Sequence, residues 1–291
     1  METIFDARLA LARKLRALQN GTSTDFLMRH VAGDLSDRLA TIGRHFSKAA
    51  AIFCITADAA DAVSSSGKAD HIVRVEADRR LLSQAYDGLV AEPEILPLGA
   101  ESTDLVVSLM TLHEANDLPG LLVQIRRALR PDGLFLGSMA GAGTLQELRQ
   151  CLLQAETEVS GGAAPRVSPF TDVREVGALL QRAGFALPVA DIEPLTVRYA
   201  TMFDLMRDLR GMGATNALME RSRRPATRRL FLRAAELYQE QFSDPDGRIR
   251  ASFNIVWMSG WAPDATQQKP LKPGSAKVSL KDVLSSPNPP D

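Results

Sequence analysis

Several things are scarce in this sequence. Its 291 residues include only 4 histidines and 2 cysteines, and aromatic residues make up 5%. The histidines His30, His45, His71 and His113 are scattered. They show no spacing for a two-histidine, one-carboxylate iron site, so no metal centre is expected. Cys54 and Cys151 form no CxxC pair and no zinc spacing. Both read as reduced core thiols, which fits a reducing compartment. No apolar run approaches the roughly 20 residues that a membrane-spanning helix needs. Neither sign of charge dominates: 34 basic against 35 acidic side chains give a net charge of -1. Nothing in that balance favours nucleic acid or an anionic membrane surface. No Walker loop, HExxH zinc motif or nucleophile elbow is present. Gly141, Gly143, Gly161 and Gly162 make no phosphate loop, and Gly143 before Thr144-Leu145 more plausibly opens a helix.

What is there is an alternation. Phe5, Leu9, Ala12 and Leu15 fall at helical spacing, and Asn20-Gly21 is a stop signal. The first twenty residues are amphipathic and carry several Arg and Lys. Glu2 and Asp6 argue against an import sequence and for a folded helix. A second helix is expected over 26–42. Residues 49–55 are a continuous apolar run, as a strand buried on both sheet faces requires. Further strands are expected at 71–75, 89–91, 103–109, 134–138, 190–197 and 252–258. Helices are expected at 118–129 and 172–182 between them, then at 202–211 and 225–242 in succession. The Pro131-Asp132-Gly133 turn stops the first of these, with Gly133 expected to take the positive φ. Strands alternating with helices predict an α/β fold with a doubly wound, mostly parallel seven-stranded sheet. The expected divisions are N-terminal helices over 1–45, a Rossmann-like core over 46–198, a helical lid over 199–248, a final core strand over 249–262 and a disordered tail over 263–291.

The stretch 108–119 and the Leu-Arg-Pro-Asp-Gly turn of 129–133 resemble the fourth-strand region of class I methyltransferases. Gly-Ser-Met-Ala-Gly-Ala-Gly-Thr-Leu-Gln-Glu-Leu-Arg at 137–149 narrows the likeness. So do 155–158, 168–171, 202–206, 208–213 and the N-terminal Ile4-Phe5-Asp6. Together they resemble the methyltransferase-like arginine hydroxylases that assist respiratory complex I assembly. The resemblance runs from about residue 3 to about residue 262. The malonyl-carrier methyltransferases of biotin synthesis are similar too, less closely over the later motifs. The resemblance implies S-adenosylmethionine as cofactor, a class I fold and a complex I subunit as partner.

One part of the family pattern is missing. The first strand of such proteins runs into a Gly-x-Gly-x-Gly-like loop, where glycines let the backbone approach the cofactor. Here residues 53–60 contain no glycine, so the loop is weakened. A positive φ at the β-branched Thr56 would cost roughly 1–3 kcal/mol. By position in the family, Thr56 and Ala57 sit in that loop. Glu76 stands where an acid accepts the ribose hydroxyls, or else is a solvated loop acid beside Asp78, Arg79 and Arg80. Glu92 matches the acid facing the adenine amine, or is a surface acid. Leu96 and Leu98 wall the adenine face or belong to the core. Ser108 and Ser138 end strands at the ligand edge, or cap a helix or loop. His113, past strand four, is a candidate base, with Glu114 replacing the family's usual aromatic and raising its pKa if the two touch. The bland alternative is a loop histidine packed on a helix. The basic run Arg221, Arg223, Arg224, Arg228, Arg229 and Arg233 is a solvated helix face or a grip for an acidic partner.

Three functions follow from these readings. The first is a methyltransferase-family enzyme acting on a protein substrate in complex I assembly. The second is a catalytically inactive assembly factor or scaffold with the same fold. The third is a small-molecule or carrier-protein methyltransferase. The expected compartment is the bacterial cytoplasm, with the mitochondrial matrix as the alternative.

Overall fold

The computed structural model describes residues 3–19 and 26–268. Asn20-Gly21 and residues 269–291, most of the expected tail, lie outside them. Two helices, α1 (Ala7–Gln19) and α2 (Phe26–Ala40), precede the sheet. The strands are β1 (Phe46–Ile52), β2 (Ala69–Glu76), β3 (Asp87–Val90), β4 (Thr103–Leu109), β5 (Leu129–Ala140), β6 (Ala186–Tyr199) and β7 (Ile249–Trp261). They form one seven-stranded sheet in the order β3-β2-β1-β4-β5-β7-β6. Every pair from β3 to β5 is parallel, and β7 runs antiparallel between β5 and β6. The connecting helices are α3 (Asp58–Ser65), α4 (Leu118–Ala128), α5 (Gln146–Ser160), α6 (Val173–Arg182), α7 (Met202–Gly211) and α8 (Arg228–Phe242).

Burial on both faces explains the central strands. Ala49, Ala50, Ala51 and Ile52 are all 1% exposed or less, as are Leu105, Val106 and Val107. Alternate residues feed opposite faces of the sheet. Val106, Phe135 and Val256 pack with α4 and α6 on one side. Ala51, Val107 and Trp257 pack with α2 and α3 on the other. A third cluster joins α5, α7 and α8 over the far ends of β6 and β7. The strand order reverses at β1 and β4, where ligands collect beside the carboxyl ends of such sheets.

Three local expectations change. The apolar run does not stay extended to residue 55, because β1 ends at Ile52 and Phe53 turns to φ 50°. In the turn before the central part of β5, Asp132 carries the positive φ, 61°, rather than Gly133. Gly133 is needed for closeness instead: a Cβ there would sit 2.9 Å from the Arg130 carbonyl oxygen. The two successive helices also part company. α7 reaches the ligand edge, whereas α8 packs on α5 and β7.

Candidate functional site

Two adjoining cavities open at the carboxyl ends of β1, β2 and β4. The first, about 100 Å³, lies under α1 and is lined by Ala10, Phe53, Ile55, Glu76, Glu94 and Thr111, among others. The second, about 130 Å³, lies toward β5 and α7 and is lined by His113, Arg166, Phe170, Leu209, Met212 and neighbours. Lys14, Ile55 and Glu114 border both. An ion pair from Lys14 Nζ to Glu114 Oε2 stands between the two.

The first cavity is built around the 53–57 loop. Phe53 and Ile55 both adopt the left-handed conformation, at φ 50° and 67°. Their spacing is that of the first two glycines of a Gly-x-Gly-x-Gly loop, and Ala57 takes the third place. The strain foreseen at Thr56 therefore falls on Phe53 and Ile55. Thr56 instead bonds Asp58 Oδ2 through its hydroxyl at 2.5 Å, and Ala57 caps α3 without a side-chain bond.

Glu76 holds this loop. It is 1% exposed and lines the cavity, so it is not a solvated acid. Oε1 accepts from the Cys54 amide at 3.1 Å, and Oε2 from the Ile55 amide at 3.2 Å. Arg74, also 1% exposed, donates to Glu76 Oε1 at 2.9 Å and to the Thr56 carbonyl at 2.8 Å. Burial pushes the Glu76 pKa up to about 7, against the pull of Arg74 and the two amides. Glu94 is equally committed. Its oxygens accept the Asn116 and Asp117 amides, each at 2.7 Å. Thr111, 9% exposed, has a buried hydroxyl oxygen with no partner.

S-adenosylmethionine does not fit this arrangement. Its ribose needs a free acceptor, and Glu76 keeps only the second lone pair of Oε2, since Oε1 accepts two bonds and Oε2 one. Its methionine part needs backbone approach where the side chains of Phe53 and Ile55 lie. Glu92 is exposed and is not among the lining residues, because the chain turns outward after β3. Ser108 is fully buried with an unpartnered Oγ; it shares the sheet face of Val106 and lines neither cavity. Ser138 is likewise buried and unpartnered. Leu96 is core and Leu98 packs against it.

The second cavity is differently equipped. His113 packs against Phe170, with ring centroids 5.7 Å apart. Its Nδ1 accepts a long bond, 3.4 Å, from the Ala140 amide. Burial lowers its pKa to about 4, outweighing the opposite pull of Glu114. The expected rise from Glu114 is thus overridden by desolvation. The ring is neutral at pH 7 with its proton on Nε2, and it presents a donor rather than a base. Burial opposes ionisation of Glu114, but Lys14 and His113 nearby hold its pKa below the ordinary value. Lys14 takes Oε2, and no bond to Oε1 is found among the described residues.

The N-terminus is part of this construction. Asn116 Oδ1 accepts the Ile4 and Phe5 amides at 2.9 and 2.8 Å, and Asp6 pairs with Arg221 at 3.0 Å. Gly213, at φ 72°, lies so close to α1 that a Cβ would approach Lys14 Cα to 2.8 Å. The Arg run divides. Arg221 and Arg233 are paired with acids, whereas Arg223, Arg224, Arg228 and Arg229 are exposed. Away from both cavities, His30, Asp34 and Glu193 converge on one another. This is an ion-pair cluster, with His30 Nε2 2.8 Å from Glu193 Oε1 and the Trp257 indole donating to Oε2 at 3.3 Å. Both cysteines are free and buried. Among the described residues no helix is long and apolar enough to cross a membrane.

Lys14, Phe53, Ile55, Arg74, Glu94 and Thr111 were not expected from the sequence. The spacing of Phe53 and Ile55 was available as a signal once the glycine pattern was laid over them. Lys14 had none, since a contact across 100 residues leaves no local pattern.

The comparisons with known proteins agree with this architecture. The family described as "Methyltransferase domain" matches residues 54–137. The chain is 36% identical to arginine-hydroxylase NDUFAF5, mitochondrial, of Danio rerio, over 96% of this chain and 89% of that one. The human protein of that name is 37% identical over 96% of this chain and 83% of its own. A malonyl-[acyl-carrier protein] O-methyltransferase of Methylovorus is 37% identical over 67% of this chain and 60% of its own. Among solved structures, a methyltransferase-family protein of Bacillus halodurans shares the fold, with TM-score 0.56 at 14% identity over 80% of this chain and 99% of that one. Matched over nearly its whole length by those relatives, and carrying a methyltransferase domain in a sheet of this order, the chain belongs to the NDUFAF5 arginine-hydroxylase family.

Proposed function

We propose that this chain acts on a protein substrate during assembly of respiratory complex I, taking an arginine side chain into the second cavity. The observation that carries the reading is the Glu114 carboxylate. It is enclosed, held ionised and bonded by Lys14 through one oxygen only. A guanidinium N–H donates to a carboxylate oxygen in a charge-assisted bond, and Oε1 is the oxygen open to it. Phe170 offers an aromatic face over which a guanidinium stacks. His113, neutral with its proton on Nε2, orients the substrate as a donor. In this reading Glu114 binds the substrate, His113 positions it, and α1 and α7 enclose it. The relatives support the arginine, since the NDUFAF5 proteins are named arginine-hydroxylases.

The partner is a complex I subunit, and the exposed Arg223, Arg224, Arg228 and Arg229 form the face that meets its acidic surface. The compartment is the bacterial cytoplasm, or the mitochondrial matrix in a eukaryotic cell. S-adenosylmethionine is the cofactor that the family implies for the first cavity. Glu76 and the 53–57 loop lie where the family would hold it, but in this arrangement they are bonded to one another. The commitment of those residues to one another favours a second reading, an assembly factor without methyl transfer. The likeness to a malonyl-[acyl-carrier protein] O-methyltransferase supports a third reading, a small-molecule or carrier-protein substrate.

The test is capture of subunits by tagged protein from cells assembling complex I, followed by mass spectrometry of the arginines. Wild type is expected to enrich a complex I subunit, and Glu114→Gln to lose about tenfold or more of it. Enrichment of none, or equal enrichment by both proteins, would refute the reading.

A further inference from the structure

We infer that the first cavity is a self-occupied cofactor site, closed to S-adenosylmethionine by Phe53 and Ile55 in the two left-handed loop positions and by the internal use of Glu76. The inference goes beyond the proposed function and rests on family membership, not on the protein partner.

The argument begins with the backbone. A left-handed turn at a non-glycine residue costs on the order of 1–3 kcal/mol, and a β-branched residue such as Ile55 is among the worst placed to adopt it. Two such turns stand two residues apart, at φ 50° and 67°. The loop thus keeps the path of a glycine loop after losing the residues for which that path is unstrained. Something must hold it there, and the contacts are visible. The Phe53 amide donates to the Val75 carbonyl at 2.7 Å. The Cys54 and Ile55 amides donate to Glu76, and Arg74 closes over the Thr56 carbonyl.

These bonds use the groups that a nucleoside ligand would need. The loop amides point at Glu76 instead of at a ligand. The Glu76 oxygens receive two amides and a guanidinium, which leaves one lone pair, on Oε2, where a ribose needs two acceptor positions. Both side chains at the left-handed positions border the cavity, and Ile55 borders the second cavity as well. A methionine chain running along the loop would meet them where glycine leaves open space. The protein's own atoms therefore do the ligand's work of satisfying the loop.

Calorimetry with S-adenosylhomocysteine, which has no transferable methyl group, tests this on the full chain. Wild type is expected to give no binding heat at roughly 1 mM ligand. Phe53→Gly with Ile55→Gly removes both side chains and both strained turns. It is expected to bind at least about tenfold more tightly than wild type, in a measurable range. Should the double variant fail to fold, Ile55→Gly alone carries the test, with a gain in the same direction. Micromolar binding by wild type would overturn the inference. So would folded glycine variants that bind no better than wild type. Subunit capture is a separate readout, so failure of the protein-partner reading leaves this result intact, and the reverse also holds.

Discussion

The two cavities at the carboxyl edge of the sheet are made from equivalent materials and finished differently. Beside β1 and β2, every carboxylate oxygen is used by the protein itself: Glu76 by Arg74 and two amides, Glu94 by two amides. Beside β4 and β5, Glu114 keeps an oxygen without a partner among the described residues, and His113 keeps its Nε2. Most buried polar groups find a partner within the protein. On the first side the Thr111 hydroxyl and Arg74 Nε do not. The contrast between the halves therefore lies in the carboxylates, which the first side commits internally and the second leaves partly open. A fold inherited from methyltransferases keeps its framework in both halves, because the framework rests on buried strands and not on the ligand.

The largest break in this comparison comes from removing Glu76. Glu76→Ala leaves the buried Arg74 uncompensated and frees two loop amides. A cost of about 3–5 kcal/mol is expected in denaturant unfolding, as for breaking other buried pairs. The corresponding change on the open side, Glu114→Gln, keeps an acceptor for Lys14 and is expected to cost about 1–2 kcal/mol. Equal costs would erase the distinction between the halves.

Titration sharpens the same contrast, because the halves respond to pH with opposite signs. His113 has a folded pKa near 4, below its ordinary value of 6.5. Its contribution is therefore present above about pH 6.5 and is lost as pH falls toward 4, by up to about 3 kcal/mol. Glu76 has a folded pKa near 7, above its ordinary value of 4.5. Ionising it costs stability as pH rises from about 4.5 to 7. Unfolding between pH 4 and 7 should show the two slopes partly cancelling in wild type. His113→Phe is expected to unmask the falling slope and Glu76→Gln the rising one. The same slope in both variants would contradict the assignment.

Gly213→Ala tests the enclosure shared by the two halves. The new Cβ meets the α1 backbone at 2.8 Å, at a φ of 72° that alanine resists. A loss of about 1–3 kcal/mol is expected, with faster hydrogen exchange across α1. The smallest effect belongs to Ile55→Gly. Truncating an apolar side chain this far ordinarily costs several kcal/mol, but here relief of the left-handed strain offsets it. A net change within about 1 kcal/mol is expected. A loss above about 3 kcal/mol would show that Ile55 is not strained.

How much of this was legible in the sequence depended on locality. The buried runs at 49–52 and 103–109 announced central parallel strands, since continuous burial on two faces leaves no other pattern. The resemblance at 137–149 located the family. α3 was missed, because its eight residues follow a loop with no start signal and its N-cap Ala57 makes no side-chain bond. The site was legible as positions and not as partnerships. Glu76, His113 and Glu114 were found, but Arg74 sits only two residues before Glu76 and drew no notice, since a strand's i and i+2 pair becomes visible only once burial is known. The reversal of the His113 expectation has the same origin. A neighbouring carboxylate is written in the sequence, and enclosure by Phe170 and α1 is not.

Hydrogen exchange over residues 53–57, with and without roughly 1 mM S-adenosylhomocysteine, addresses the self-occupied loop most directly. The Cys54 and Ile55 amides should already exchange slowly, locked to Glu76, and the ligand should leave their rates unchanged. Fast exchange in the free protein that slows when the ligand is added would mean that the loop is waiting for its cofactor after all.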